Sequence, residues 1–147
     1  MQISSFLSPT DVLADVRAAD KRQLLREMAK KAAPALQLTA EVIASGLIQR
    51  EELGSTGMGG GVAIPHARFA ALTGPFGMFA RLKKPIDFDA IDGQPVDLVF
   101  VLLLPASPEG DQLGALARVA RKLRSSSVVD HMRRLKQASE LYAAVID

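Results

Sequence analysis

Five glycines and a single histidine crowd a short stretch, Arg50 to Arg68, that opens on an arginine and reads REELGSTGMGGGVAIPHAR. A helix-like segment ends at Gly54. A loop follows with Gly57, Gly59, Gly60 and Gly61. Val62, Ala63 and Ile64 then form a short apolar run closed by Pro65 and His66. These types in this order suit a histidine that carries a phosphoryl group. Neutral imidazole is a good nucleophile near neutral pH. Glycines let the backbone approach an anion closely, and successive N–H groups in such a turn can form an anion-binding nest. Gly57 and Gly59 are the candidate contributors. Arg50 offers a planar fork of donors that matches phosphate oxygens. Ser55 and Thr56 add hydroxyls that could orient the imidazole or bond the phosphoryl oxygens. Pro65 biases Ile64 toward extended geometry and removes a ladder N–H, so a strand is expected to stop there with His66 at its end.

Plainer readings stand beside this one. A glycine-rich loop can be only a turn, and a single histidine can be structural. Two other phosphate motifs fail on pattern. A nucleotide P-loop needs a lysine and a Ser or Thr after its glycines, and none follows here. A dinucleotide fingerprint follows a strand and opens a helix, whereas the order here reads helix, loop, strand.

The flanking elements alternate between helix and strand. Asp20 can cap a helix from Lys21 to about Ala33, with Leu24, Leu25, Met28 and Ala32 at helical spacing; Pro34 is expected to end it. Thr39 is the next N-cap, with Glu41 in the favourable first turn. Val42, Ile43, Leu47 and Leu53 form the expected apolar face of a helix to about Glu52. Arg50 lies in its last turn, where the helix dipole favours a cation. Phe76 to Leu82 reads as a strand, and Asp92-Gly93 as a turn. Val96 to Leu104 is apolar at every position after Asp97, which predicts a central strand with both faces covered. Pro105 and Pro108 break it. Asp111 could cap a helix to about Arg124, with Leu113, Leu116, Ala117, Ala120 and Leu123 on one face. A helix from about Ser127 to Lys136 follows, and Ser139 can cap a last one. The expectation is one α/β domain, with a mixed sheet of about five strands flanked by helices.

Composition narrows the function classes. The 147 residues suit one domain with a real core. Apolar residues make up 48% and charged ones 23%, which fits a globular protein. The chain has no cysteine, so disulfides and thiolate metal sites are excluded. Its two histidines, His66 and His131, lie in no ligand-like cluster, and no metal or organic cofactor is expected. The start MQISSFLSPTDV lacks the pattern of a signal peptide, and no apolar run approaches a membrane span. The expected location is cytoplasmic, without membrane insertion.

Residues 118 to 136 are basic: Arg118, Arg121, Lys122, Arg124, Arg133, Arg134 and Lys136 face only Asp130. A docking surface for an acidic partner is one reading, and a solvated helix face is the favoured one. No aromatic residue is there to stack on bases, which argues against nucleic acid.

The string GSTGMGGGVAIPHA resembles the active-site signature of the fructose/mannitol/nitrogen-regulatory enzyme IIA family of the bacterial phosphoenolpyruvate phosphotransferase system. PIDFDAIDGQPVDLVFVLLLPA, from Pro85 to Ala106, is similar to a second typical stretch of that family. The resemblance extends from about Ser5 to about Val145, so residues 1–147 read as one enzyme IIA type-2 domain. The GSTG and FDAIDGQPVDL wording, in a chain without sugar-transport domains, looks most like the nitrogen-regulatory branch. The resemblance implies that His66 is phosphorylated through Nε2, that Arg50 is the active-site arginine, and that the donor is a histidine-containing phosphocarrier protein. Family members commonly carry a second active-site histidine in a His-Leu pair. Gln112-Leu113 stands there in this chain. Gln112 can bond a phosphoryl oxygen but cannot change charge. Two alternatives remain: a sugar-specific enzyme IIA that passes the group to an enzyme IIB, and a module that works by docking alone.

Overall fold

The computed structural model describes residues 1–107 and 112–147, the side chain of Gln112 excepted. Its first strand, β1 (Leu7–Val16), is absent from the sequence pattern for a visible reason. Its pairing with the rest of the sheet shifts register twice, between Leu7 and Val12 and again between Leu13 and Val16. Bulged pairing of this kind destroys the two-residue alternation that marks a strand.

Helix α1 (Lys21–Leu36) starts where expected, with the Asp20 carboxylate accepting from the Gln23 N–H. It does not end at Pro34. It runs to Leu36 and stops at Gln37 in a left-handed conformation. A proline in the last turn removes one hydrogen bond, here to Lys30, an exposed residue open to water. Helix α2 (Ala40–Glu52) is capped by Thr39 through the Val42 N–H. Ile43 and Leu47 are fully buried, but Val42 is 49% and Leu53 86% exposed, so the buried stripe is narrower than expected. Glu51 is buried in their place.

The glycine region forms a hairpin of β2 (Gly57–Gly59) and β3 (Val62–Ala63). After a break at Ile64-Pro65 come β4 (His66–Phe69), β5 (Phe76–Ile86) and β6 (Val96–Pro105). The sheet order is β1-β5-β6-β3-β2, with β4 also pairing β6 along the same edge as β3. β6 runs antiparallel to β5 and parallel to β3 and β4, while β1 is parallel to β5. The sheet is therefore mixed, with six strands where about five were expected.

Helices α3 (Gln112–Arg124), α4 (Ser126–Arg134) and α5 (Ala138–Ile146) complete the described chain. The caps expected of Asp111 and the break at Pro108 lie outside the described residues. Ser139 is not the cap of α5. Gln137 holds that place, its N–H bonded to the Glu140 carboxylate at 3.1 Å, so Ser139 falls inside the helix. The buried stripe of α3 is Ala115, Val119 and Leu123. Leu113 and Ala117, expected on one face with Leu123, are exposed while Leu123 is buried.

Two cores flank the sheet. Val99, Val101 and Leu103 of β6 pack with α1 and α2, among Leu24, Leu25, Met28, Ile43 and Leu47. Leu98, Phe100, Leu102 and Leu104 point to the other face, where α3, α4 and α5 bring Val119, Leu123, Met132, Leu141 and Val145. This explains why β6 is apolar throughout. Both of its faces leave water, and each fully buried side chain of this size contributes about 1.5–3 kcal/mol. Arg81 of β5 is buried as well. Its guanidinium donates to the carbonyls of Met132 and Leu135 at the end of α4.

Candidate active site

His66 does not end a strand. It opens β4, opposite Leu102 of β6, after the break made by Pro65. The break is bridged by the Leu102 N–H, which donates to the Pro65 carbonyl at 2.9 Å. The ring is half-buried, and its Nδ1 lies 2.9 Å from the Ile64 carbonyl oxygen. A carbonyl only accepts, so Nδ1 carries the proton. In the neutral ring Nε2 then keeps its lone pair, which is the condition for a nucleophile.

Arg50 reaches this region from the last turn of α2. Its Nη1 donates to the Gly54 carbonyl at 2.9 Å, which turns the guanidinium along the start of the loop. His66, Arg50, Thr56 and Arg124 share a cleft of about 350 Å³. Its apolar wall is Met58, Ile64, Leu113, Leu116, Ala117 and Ala120. The exposed Leu113 and Ala117 thus have a place: they face the cleft and not the core.

Arg124 was legible only as part of a basic run. Helical spacing contains the missing signal, since Leu113, Ala117, Ala120 and Arg124 recur every three or four residues and fall on one face. The rest of the run divides. Arg133 pairs bidentately with Asp97, with Nε 2.9 Å from Oδ2 and Nη2 2.8 Å from Oδ1, and also holds the Gly60 carbonyl. It is tied to the glycine turn and is not merely solvated. Arg118, Arg121 and Lys122 line a larger cleft of about 800 Å³ elsewhere on α3, whose lining includes no histidine. His131 is exposed.

The glycine loop is engaged with its own neighbours. The Thr56 N–H donates to Glu51 Oε2 at 2.9 Å and its hydroxyl to Oε1 at 2.5 Å. The Ser55 hydroxyl donates to the Phe88 carbonyl and accepts from the Gly57 N–H at 3.0 Å. The Gly60 N–H donates to Asp92 Oδ2 at 3.0 Å, and the Ile91 N–H to the Gly57 carbonyl at 3.3 Å. Gly57 is required by close approach: a Cβ there would meet the Ala90 backbone at 2.9 Å. Gly61, at φ +79°, occupies the left-handed region, and a side chain there would strike Arg133. Of the expected phosphate contacts, Thr56 lines the cleft, while Ser55, Gly57 and Gly59 do not. The Gln112 side chain lies outside the described residues. The loop thus lines the cleft with Thr56 and Met58.

Asp92 shows the electrostatic side of this stapling. The N–H groups of Gln94 and then Gly60 hold its carboxyl below the usual carboxylate range. Among the described residues, no group of three His, Asp or Glu side chains could hold a metal ion. No described helix is long and apolar enough to cross a membrane.

Known proteins share this architecture. The chain is 43% identical over 145 residues to a nitrogen regulatory protein of Bradyrhizobium diazoefficiens, covering 99% of this chain and 95% of that one. The crystal structure of nitrogen regulatory protein IIA-Ntr from Neisseria meningitidis superposes with a TM-score of 0.92 at 34% identity, covering 97% of this chain and 98% of that one. The mannitol enzyme IIA of Escherichia coli, solved in complex with phosphorylated enzyme IIB, has the same fold, with a TM-score of 0.76 at 14% identity over 92% of this chain and 94% of that one. The family model described as phosphoenolpyruvate-dependent sugar phosphotransferase system, EIIA 2, matches residues 5–147. With that match over almost its whole length, and relatives named for nitrogen regulation, the chain belongs to the enzyme IIA type-2 family of the phosphotransferase system.

Proposed function

We propose that this protein accepts a phosphoryl group on His66 Nε2 from a histidine-containing phosphocarrier protein and acts by its phosphorylation state. One observation carries the reading: the Ile64 carbonyl claims the Nδ1 proton, so Nε2 is the nitrogen that keeps its lone pair in the neutral ring, in a cleft shared with two arginines. The Nε2 lone pair attacks phosphorus in line. The new N–P bond forms as the carrier's N–P bond breaks, and that electron pair returns to the carrier's ring. Phosphoryl transfer asks mainly for position and charge stabilisation. Arg50 and Arg124 supply the charge. The apolar wall of the cleft, with Leu113 at 73% exposure, suits a protein partner, because exposed apolar surface beside a charged site marks an interaction surface. Such a carrier makes the cytoplasm the place of action.

A regulatory end point fits better than relay. Relatives named for nitrogen regulation match almost the whole chain, and Gln112 offers no second imidazole for onward transfer. Transfer to an enzyme IIB is the competing reading. A docking-only module would have no use for a histidine oriented in this way.

The test is intact mass after incubation with phosphoenolpyruvate, enzyme I and the phosphocarrier. One acid-labile phosphate is expected, absent in His66→Ala and retained in His131→Ala. A wild-type protein that takes no phosphate, or a His66→Ala protein that takes it equally, overturns the reading.

A further inference from the structure

Glu51 is the one acidic side chain buried among the described residues, and the cleft does not use it. Its side chain is 4% exposed and collects three hydrogen bonds from Thr56 alone: the N–H to each oxygen, at 2.9 and 3.2 Å, and the hydroxyl at 2.5 Å. Lys21, at the first position of α1, supplies the balancing charge at 3.9 Å and lies 4.8 Å above the Phe88 ring. A carboxylate is costly to bury, and this one is compensated on all sides. The residue it grips holds the next one: the Thr56 carbonyl accepts from the Ile64 N–H at 3.1 Å. Ile64 in turn gives its carbonyl to His66 Nδ1. An unbroken series of contacts runs from the Lys21 ammonium through Glu51, Thr56 and Ile64 to the imidazole.

We infer that Glu51 is a positioning residue for His66, acting through Thr56 and Ile64, and that it sets which ring nitrogen is free. The inference rests on the proposed role of His66 as phosphoacceptor. It also fixes what Thr56 does. With both donors committed to Glu51, Thr56 has only hydroxyl lone pairs to offer the cleft and gives no hydrogen bond to a phosphoryl oxygen. Arg50 and Glu51 are adjacent, so the last turn of α2 supplies a phosphate-binding cation on one side and the orienting carboxylate on the other.

The experiment reads the imidazole directly. Nitrogen-15 NMR of neutral His66 should show the Nδ1–H tautomer in the wild type and a mixture in Glu51→Gln, with the melting profile confirming the fold. Single-turnover phosphorylation by the phosphocarrier should fall about tenfold or more in that variant, within the ~100-fold that a misplacement of about 1 Å can cost. Thr56→Val, which keeps the N–H and loses the hydroxyl, should move both readouts the same way. Thr56→Ser, which keeps both donors, should restore both. If Glu51→Gln does not fold, Thr56→Val carries the test. Unchanged tautomer and rate in the folded variants overturns the inference. A wild type that takes no phosphate while the variants still shift the tautomer defeats the phosphoacceptor reading and leaves the coupling to Glu51 standing.

Discussion

His66 Nδ1 and the carbonyl oxygen of Ile64 meet at 2.9 Å across Pro65, two residues apart in the chain. The geometry needs a local break. A regular strand sends residues 64 and 66 to the same face with their carbonyls in the sheet plane. Here β3 ends at Ala63 and β4 begins at His66, and the interruption frees the Ile64 carbonyl to turn toward the ring. Proline, with no N–H to offer a ladder, is the residue that makes such an interruption inexpensive.

Arg50 should be intolerant of lysine. The guanidinium bonds the Gly54 carbonyl through Nη1 and has further donors to aim at a phosphate. Lysine keeps the charge and loses the fork. Loss of a hydrogen bond to a charged group is worth about 1.5–3 kcal/mol, so phosphotransfer in Arg50→Lys should slow by about tenfold to a hundredfold with the fold intact. Rapid-quench rates check it, and unchanged rates in Arg50→Lys and Arg50→Ala would remove Arg50 from the site.

Arg124 should act on encounter with the partner. It is exposed at the cleft, and rim charges chiefly change association rate and its salt dependence. Arg124→Gln should lower kcat/KM for the phosphocarrier and flatten its dependence on ionic strength. Arg134→Gln, on the same basic run but outside the cleft, should change neither. Equal effects of the two substitutions would return Arg124 to a general field of charge.

The staple between Asp92 and the glycine turn should be lost in acid. The fold lowers the Asp92 carboxyl below its unfolded value through the N–H groups of Gln94 and Gly60. A depressed carboxylate contributes stability that is fully present above the unfolded value of about 3.9 and disappears as pH falls through the folded one. The Gly60 amide signal should therefore move as pH drops below about 4. Asp92→Asn should abolish that movement. A Gly60 signal with the same acid transition in both proteins would show that another group is titrating.

Gln112→His should bring titration into the site. Glutamine can donate to a phosphoryl oxygen at any pH, whereas an ordinary imidazole gains charge as pH falls below about 6.5. Phosphorylation rate or phosphohistidine lifetime should become more pH-dependent between about pH 5.5 and 7.5 in the variant. Decay curves across that range test it. Superimposable profiles would put position 112 outside the reacting centre.

Legibility followed the range of the interactions. Asp20 and Thr39 were readable as caps because a cap bonds a residue three positions on. β6 was readable because burial on both faces leaves an unbroken apolar run. β1 was not, since its bulges exist only in relation to β5. Leu113 was readable as part of one apolar helix face, but apolar spacing cannot tell a core face from a cleft wall. Glu51 gave no signal at all. An acidic residue at the end of a helix reads as solvated, and its burial depends on Thr56 beyond the turn and Lys21 on another helix. His66 and Arg50 stood out as candidates because their types narrow the chemistry even before their distances are known.

The double burial of β6 removes the usual safeguard on strand alignment. In a sheet with one wet face, a slip by one residue drives polar groups inward and is rejected by solvation. Here a slip would exchange one apolar set for another, with Val99 and Val101 arriving where Phe100 and Leu102 belong. Rejection must come from shape: an aromatic ring forced among the side chains of α1 and α2, and a void left opposite Phe79. The alignment of His66 against Leu102 is thus guarded by side-chain volume. Substitutions that even out the sizes along β6, such as Phe100→Leu together with Val101→Leu, should blur the location of the imidazole before they unfold the protein.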